Sequence, residues 1–202
     1  MFLKSPPTLI LASTSVYRRE LLGRLQIPFD CRAPGIDETP FPGEGASALV
    51  ARLAEAKARA VGVQYPDAWV IGSDQVALLA EDAQPDTILG KPGTAANCID
   101  QLLRCSGRTL CFVTAVAVLR HSDSSLAEFV DSTRVKFRRL DRPTIERYVA
   151  RESPLDCAGG FKSEELGITL CDAIESNDPT ALVGLPLIRL SAVLRGAGFE
   201  LP

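Results

Sequence analysis

The stretch LILASTSVYRRELL, residues 9–22, passes from an apolar run through three hydroxyl residues into a sequence with helical periodicity. Residues 8–12 predict a buried strand, and residues 16–25 predict a helix that carries its leucines on one face. A strand that leads directly into a helix is the unit from which α/β folds are built. This stretch therefore decides the expected fold class, and the rest of the chain extends it.

The junction between this strand and this helix is also a candidate anion site. Ser13 and Ser15 lie where the backbone N–H groups of the first helical turn have no helical acceptor, and such groups bind phosphate. Arg18 projects from the start of the leucine stripe, where its planar guanidinium suits an anion. The local pattern by itself favours a plainer interpretation, in which Ser15 caps the helix and Arg18 and Arg19 are surface charges.

Strand and helix patterns alternate beyond this unit. Further strands are predicted at residues 27–33, 69–80, 109–120, 126–140 and 167–175, further helices at 46–61, 94–107, 141–149 and 185–198, and a loop at 81–88. The two long strands between residues 109 and 140 are joined by a short polar segment, which predicts a hairpin. The expected fold is α/β: one domain over residues 1–202, with a mixed twisted sheet flanked by helices and a central cleft between two lobes.

Composition limits the possible functions. The 202 residues are 46% hydrophobic and 23% charged, with a formal net charge of −3, which argues against DNA or an anionic membrane as the partner. The six cysteines show no metal-binding spacing, and no apolar run reaches the roughly 18 residues that a membrane span requires. The N-terminal sequence MFLKSPP lacks the apolar core of a signal peptide. We therefore expect a cytoplasmic protein with reduced cysteines.

His121 is the only histidine, so a Ser-His-Asp triad, a Cys-His pair or a metal site built from histidines is not expected. Asp74, in the motif GSDQV, interrupts the most apolar predicted strand. A carboxylate buried there needs a cation or hydrogen-bond donors, and we interpret Asp74 as functional rather than as half of a structural ion pair. Asp37 and Glu38 lie in a proline-flanked loop, where carboxylates usually face water but can also hold Mg²⁺.

Three lysines are candidates for contacts with phosphate. Lys57 borders the apolar face of the second predicted helix, and the pattern leaves open whether its ammonium reaches solvent or enters a cleft. Lys91 lies in the turn GKP, where a surface position is the default. Lys162 and Glu164 follow a glycine pair that allows the backbone to approach a ligand closely. Such a set of charges suits metal-assisted attack of water on a phosphate ester or anhydride.

A series of motifs resembles the Maf family of nucleoside triphosphate pyrophosphatases. The motifs are LASTSVYRRELL, DETP, LAEAKA, GSDQV, GKP, CAGGFKSE and VGLPL, and all of them lie between residues 9 and 188. Within the family, the aromatic Tyr17 before the first arginine, together with GSDQV and GFKSE, resembles the branch that acts on 7-methyl-GTP.

The resemblance implies hydrolysis between the α and β phosphates, which releases a nucleoside monophosphate and pyrophosphate with the help of a divalent metal (Mg, Mn or Co). It also implies a two-lobed fold of the Maf/inosine triphosphatase type and a homodimer, with no nucleic acid polymer or membrane as partner. The catalytic positions would be Asp74 as proton acceptor, Glu38, Lys57 and Lys91, with Glu38 and Asp74 also holding the metal. The substrate-binding positions would be Ser13, Ser15, Tyr17, Arg18, Gln75, Lys162 and Glu164.

Two alternatives stay open at this point. The first is a pyrophosphatase of the same family that acts on dTTP and UTP, against which Tyr17 and Glu164 argue because that branch has other side chains there. The second is a nucleotide-binding regulator of cell division with little turnover, because the same anion site would serve binding alone.

Overall fold

The structure is a computed structural model that describes residues 7–80 and 87–202. Residues 1–6, at the N-terminal sequence analysed above, and residues 81–86, within the predicted loop, lie outside the described residues. The described residues form five α-helices: α1 Val16–Gly23, α2 Ala46–Gly62, α3 Ala95–Cys105, α4 Arg142–Glu152 and α5 Leu187–Gly196. They also form seven strands: β1 Leu9–Leu11, β2 Asp30–Cys31, β3 Trp69–Leu79, β4 Thr87–Leu89, β5 Thr109–Arg120, β6 Ser125–Phe137 and β7 Cys171–Glu175.

The seven strands form one mixed sheet, which confirms the predicted fold class. The strand order is β2-β1-β3-β5-β6-β7, and β4 pairs with β3 outside this path. β1 is parallel to β2 and to β3, whereas β4 is antiparallel to β3 and β7 is antiparallel to β6. β5 and β6 are neighbours joined by residues 121–124, as a hairpin requires.

Three local predictions are wrong. The polar residues Gly72–Asp74 do not interrupt β3, which continues from Trp69 to Leu79. The predicted loop at residues 81–88 is wrong at Thr87 and Ile88, which belong to β4, a strand whose three residues are too few to show an alternating pattern. Residues 167–170 belong to a 3₁₀ helix, Leu166–Leu170, rather than to a strand. Within this turn Gly167 passes so close to the backbone of Lys162 that an added Cβ would lie 2.3 Å from the Lys162 carbonyl oxygen, an approach that requires glycine.

The chain divides into two compact units. Unit 1 comprises the described parts of Met1–Asp74, Thr114–Asp131 and Gly184–Pro202, and unit 2 comprises the described parts of Gln75–Val113 and Ser132–Val183. β3, β5 and β6 each contribute residues to both units.

In unit 1, α2 packs very closely on β3. The contact occurs at Gly72, where an added Cβ would lie 2.0 Å from the carbonyl oxygen of Ala54 and 2.7 Å from the backbone nitrogen of Ala58. Only a residue without a side chain allows two backbones to approach this closely. The same unit buries the whole of β1 and the inner face of α2, including Leu49 and Leu53.

Unit 2 has a hydrophobic core of its own. Its helices α3 and α4 pack against each other, and a short 3₁₀ turn at Ala158–Gly160 packs against α3. Phe137 and Phe161 meet edge to face in this core, with ring centroids 5.1 Å apart. Within residues 7–80 and 87–202, no helix is both long and apolar enough to cross a membrane.

Candidate active site

The β1–α1 junction is built by two serines. The hydroxyl of Ser15 accepts the backbone N–H of Arg18 at 3.4 Å and caps α1. The hydroxyl of Ser13, which is buried, accepts the backbone N–H of Ser15 at 3.1 Å and fixes the turn before the helix. The plainer interpretation of Ser15 as a cap is therefore correct, and Ser13 supports that cap.

Arg18 is not the surface charge of the plainer interpretation, whereas its neighbour Arg19 is exposed. Arg18 is half-buried, and its Nε donates to the carbonyl oxygen of Gly184 at 3.0 Å. Burial lowers the pKa of the Arg18 guanidinium, and the negative charges of Asp74 and Glu38 oppose this shift. The guanidinium therefore lies within the electrostatic reach of both carboxylates.

Gly184 is the shared acceptor that links α1 to β3. Its carbonyl oxygen also accepts the hydroxyl of Ser73 at 2.9 Å, next to Asp74 in the sequence. Gly184 has φ +110°, a conformation that L residues rarely adopt, and an added Cβ would lie 3.2 Å from Arg18 Nε. Glycine at this position thus makes room for Arg18 and directs the carbonyl towards it.

The centre of the site is an ammonium shared by two carboxylates. Lys57 Nζ lies 2.6 Å from Asp74 Oδ1 and 2.7 Å from Glu38 Oε1. The side chains of Lys57 and Asp74 are 6% and 10% exposed, whereas that of Glu38 is 55% exposed. The sequence left open whether the Lys57 ammonium reaches solvent or enters a cleft. In the structure the ammonium is buried against Asp74 and does not extend into solvent.

The close packing at Gly72 explains why these groups meet. Lys57 lies between Ala54 and Ala58, the two residues of α2 that contact Gly72. Asp74 follows Gly72 by two residues on β3, so it lies on the same face of the strand. The missing side chain at position 72 therefore brings the lysine of α2 within hydrogen-bond distance of the aspartate of β3.

The donor set of this cluster fits a hard divalent cation. Mg²⁺ prefers carboxylate oxygens, and it is usually bound by one or two carboxylates together with substrate phosphates and water. Glu38 and Asp74 provide such a pair and already converge on one cation, the Lys57 ammonium. In the described part of the chain, no group of three or more His, Cys, Asp and Glu side chains forms a metal cage. A cation here would therefore need oxygen ligands from the substrate or from water.

Four predicted site residues belong to unit 2, and two of them are anchored by their contacts. The Gln75 side-chain amide donates to the carbonyl oxygens of Ala181 and Leu182 at 3.0 and 3.1 Å, so its nitrogen is committed to the backbone. The Lys162 ammonium lies 3.5 Å from Glu152 Oε1, with both side chains largely buried.

The other two residues of this group are exposed. Glu164 accepts the hydroxyl of Ser163 at 3.3 Å. Lys91 follows Gly90, whose carbonyl oxygen accepts the backbone N–H of Gly159 at 3.2 Å. In unit 1 the structure thus brings Arg18, Glu38, Lys57 and Asp74 together, and in unit 2 it places Gln75, Lys91, Lys162 and Glu164.

Some residues that hold the site together were not predicted from the sequence, because nothing in their sequence pattern marks them as contacts for a ligand. Ser73 and Gly184 lie inside the motifs GSDQV and VGLPL, but nothing in either motif shows that they contact each other across 111 positions. Arg52 and Glu44 form a bidentate ion pair at the start of α2, and no helical or strand period connects them. A glycine that precedes Leu-Pro was the one available signal for Gly184.

Comparison with known proteins gives consistent matches. The family model described as Maf-like protein matches residues 8–197. A protein named 7-methyl-GTP pyrophosphatase from Xanthomonas campestris is 58% identical over 196 residues, which cover 97% of this chain and 99% of that protein. Proteins with the same name from Aromatoleum aromaticum and Nitrosococcus oceani are 55% and 50% identical, each over 96% of this chain and 97% and 96% of their own lengths.

Among solved structures, a HAM1 protein from Coxiella burnetii shares the fold. Its TM-score is 0.50 at 15% sequence identity, and the match covers 94% of this chain and 99% of that one.

Proposed function

The chain belongs to the Maf family, and from this membership we propose that it is a nucleoside triphosphate pyrophosphatase that hydrolyses 7-methyl-GTP to 7-methyl-GMP and pyrophosphate. Relatives that carry the name 7-methyl-GTP pyrophosphatase, at 50% to 58% identity over nearly the full length, support the substrate. The observation that carries the chemistry is the cluster in which Lys57 joins Asp74 and Glu38 beside the half-buried Arg18.

In the proposed reaction, water adds to phosphorus, the α–β anhydride bond breaks, and pyrophosphate leaves. Asp74 would accept the proton from the attacking water, because it is a largely buried carboxylate held in one position by Lys57. Lys57 and Arg18 would balance the negative charge that grows on the phosphate oxygens in the transition state. Both cations are already oriented by protein contacts, so little reorganisation is needed when the substrate binds.

We propose that Glu38 and Asp74 hold a divalent cation when the nucleotide is bound. Such a cation, Mg, Mn or Co, would neutralise charge on the leaving pyrophosphate. Ser13, Ser15, Lys91 and Lys162 complete the proposed set of phosphate contacts. Lys162 would act through its ion pair with Glu152, which fixes where its ammonium lies.

Base recognition is assigned to Tyr17, Gln75 and Glu164. The 7-methylguanine ring carries a positive charge, and the face of an aromatic ring attracts such a cation by about 0.5–2 kcal/mol. Tyr17 is half-buried in the first turn of α1, on the helix that also carries Arg18. Glu164 would accept hydrogen bonds from the guanine N1–H and the exocyclic amine. The proposal also includes a cytoplasmic homodimer, and light scattering of the purified protein tests the dimer.

A panel of nucleotides tests the proposal. Pyrophosphate release is measured from 7-methyl-GTP, GTP, dTTP and UTP, with and without Mg²⁺. We expect 7-methyl-GTP to react fastest and to require the metal. Equal rates for all four nucleotides would contradict the assigned specificity, and faster dTTP and UTP hydrolysis would favour the other branch of the family.

A substitution at Asp74 tests the mechanism. Asp74→Asn keeps the size of the side chain but removes the proton acceptor, so turnover should fall by about 100-fold or more while nucleotide binding persists. Asp67→Asn, at an exposed position of unit 1, is the matched control and should keep the normal rate. A near-normal rate in Asp74→Asn would show that another group accepts the proton. Binding without turnover in the unmodified protein would favour a regulator.

A further inference from the structure

The loop that carries Glu38 has no regular secondary structure to hold it. The structure assigns neither helix nor strand to residues 32–45, all of which it describes. Within this loop, Asp37 Oδ1 accepts the backbone N–H of Thr39 at 2.9 Å and its hydroxyl at 2.7 Å, which shapes the chain around Glu38. A turn of this kind fixes local geometry, but it does not fix the loop relative to the rest of the unit.

Besides the pair of Lys57 with Glu38, Arg52 on α2 makes several contacts with the loop. Its Nε and Nη2 donate to the two carboxylate oxygens of Glu44 at 2.6 and 2.7 Å, and Nη2 also donates to the carbonyl oxygen of Thr39 at 3.2 Å. The guanidinium carbon lies 4.0 Å from the centre of the Phe41 ring. Glu44 in turn accepts the backbone N–H of Phe41 at 3.0 Å. One arginine thereby contacts three points of the segment from Thr39 to Glu44.

The ion pair is better shielded than an ordinary surface pair. The side chain of Arg52 is 27% exposed and that of Glu44 is 9% exposed, and the contact is bidentate. The hydrogen bond from Arg52 lowers the pKa of Glu44 to about 2. The pair is therefore charged at every pH at which an enzyme assay would be run.

The same helix carries the central ammonium of the site. Arg52 and Lys57 both belong to α2, and Thr39, which accepts from Arg52, is the residue after Glu38. The contact of Arg52 with the loop is therefore one residue from the carboxylate that lies 2.7 Å from Lys57. Supports of this kind, outside the set of groups that touch the substrate, commonly set the precision of a site.

We propose that Arg52 is a positioning residue, which with Glu44 holds Glu38 beside Lys57 and Asp74 and so tunes the pyrophosphatase site. This inference rests on the proposed function, because it assumes that Glu38 takes part in the reaction. Arg52 itself is assigned no contact with the nucleotide.

A double-mutant cycle tests this role. Arg52→Ala, Glu38→Gln and the double variant are compared with the unmodified protein for kcat/KM of pyrophosphate release. Arg52→Ala should lower kcat/KM by about 10- to 100-fold. If Arg52 acts through Glu38, the same substitution should cost less than about threefold in the Glu38→Gln background. An equal loss in both backgrounds would overturn the proposal, because Arg52 would then act independently of Glu38.

Arg59→Ala provides the matched control. Arg59 lies on the same helix and pairs with Glu55 at 2.6 Å, but this pair is at the surface and attaches no loop. Arg59→Ala should keep the normal rate, and an Arg52→Ala protein that also keeps it would overturn the proposal. Arg52→Lys retains the charge but not the planar fork, so it should give an intermediate rate.

Amide hydrogen exchange supplies a readout that does not depend on activity. The backbone N–H of Phe41 donates to Glu44 and that of Thr39 donates to Asp37, so both amides are protected from exchange while these hydrogen bonds persist. Faster exchange confined to residues 37–44 in Arg52→Ala would support the proposal, and unchanged exchange there would overturn it. If the unmodified protein hydrolyses none of the nucleotides, the proposed function fails, whereas the exchange experiment still shows whether Arg52 fixes the loop.

Discussion

At the scale of single residues, two glycines set the backbone geometry that positions the charged side chains of the site. Gly72 lets α2 approach β3, and Gly184 turns its carbonyl oxygen towards Arg18 and Ser73. Neither glycine can touch a substrate through a side chain. Their contribution is geometric, because each allows a backbone arrangement that any other residue would prevent or strain.

Gly184→Ala should weaken substrate binding. The added Cβ would lie 3.2 Å from Arg18 Nε, and the φ of +110° costs an L residue about 1–3 kcal/mol. We expect a higher KM for the nucleotide as well as a lower free energy of unfolding. Gly198→Ala is the matched control, because Gly198 has φ +93° but nothing within 4 Å of the added Cβ. Steady-state kinetics and urea unfolding should show that both variants lose stability but only Gly184→Ala raises KM.

The residue scale also shows where sequence reasoning stops. Lys57 and Asp74 were both identified from their places beside apolar residues, yet the sequence could not show that they contact each other at 2.6 Å. That contact depends on Gly72, whose role appears only when the backbones of α2 and β3 are placed together. The leucine stripe correctly gave the direction of the inner face of α1 from which Arg18 projects, but the local pattern by itself favoured the wrong interpretation of Arg18 as a surface charge.

At the scale of elements, α4 holds the segment that carries Glu164. The hydroxyl oxygen of Tyr148 accepts the backbone N–H of Lys162 at 3.1 Å. Glu152 accepts the backbone N–H of Leu166 at 3.0 Å and pairs with the Lys162 ammonium at 3.5 Å. One helix thus fixes both ends of the segment, and the predicted base-binding carboxylate lies between them.

Glu152→Gln should reduce discrimination between bases. The amide can still accept from Leu166, but it loses the ion pair with Lys162, so the segment with Glu164 is held less firmly. We expect the ratio of kcat/KM for 7-methyl-GTP to that for UTP to fall by roughly 10- to 100-fold. Glu146→Gln, on the same helix at an exposed pair with Arg142, should leave this ratio unchanged. An unchanged ratio in Glu152→Gln would show that the contacts of Glu152 on α4 do not contribute to base recognition.

The elements themselves were largely predictable from periodicity. All five helices were expected near their observed positions, because their apolar faces and caps are strong local signals, such as Asp141, whose side chain accepts the backbone N–H of Thr144 before α4. The errors fall where tertiary contacts decide. β4 is defined by the pairing of Thr87–Leu89 with β3, and the 3₁₀ turn Leu166–Leu170 contains Gly167, which packs on the backbone of Lys162.

At the scale of the whole molecule, stability should depend on pH through the Arg52–Glu44 pair. The pKa of Glu44 is lowered from 4.5 to about 2 in the folded protein, chiefly by the hydrogen bond from Arg52. A lowered pKa means that the folded protein favours the carboxylate more than the unfolded chain does. The resulting stabilisation is present above about pH 4.5 and is lost as the pH falls towards about 2.

A comparison of the unmodified protein with Glu44→Gln tests this dependence. The difference between their free energies of unfolding, measured with urea at several pH values, should be constant above about pH 5 and should shrink as the pH falls below 4.5. Arg52→Ala should remove the same pH-dependent difference, because it removes the donor that lowers the pKa. A difference that stays constant from neutral to acid pH would show that the pair does not stabilise the fold through this carboxylate.

Because Arg52 and Lys57 belong to one helix, a small rigid-body excursion of α2 would carry the ammonium and the anchor of the Glu38 loop in the same direction. Glu38 would therefore travel with Lys57, whereas Asp74 would stay with its strand. In such a movement the contact between Lys57 and Asp74 would lengthen, while that between Lys57 and Glu38 would be kept. The close packing of α2 on β3 at Gly72 limits how far such a movement could go.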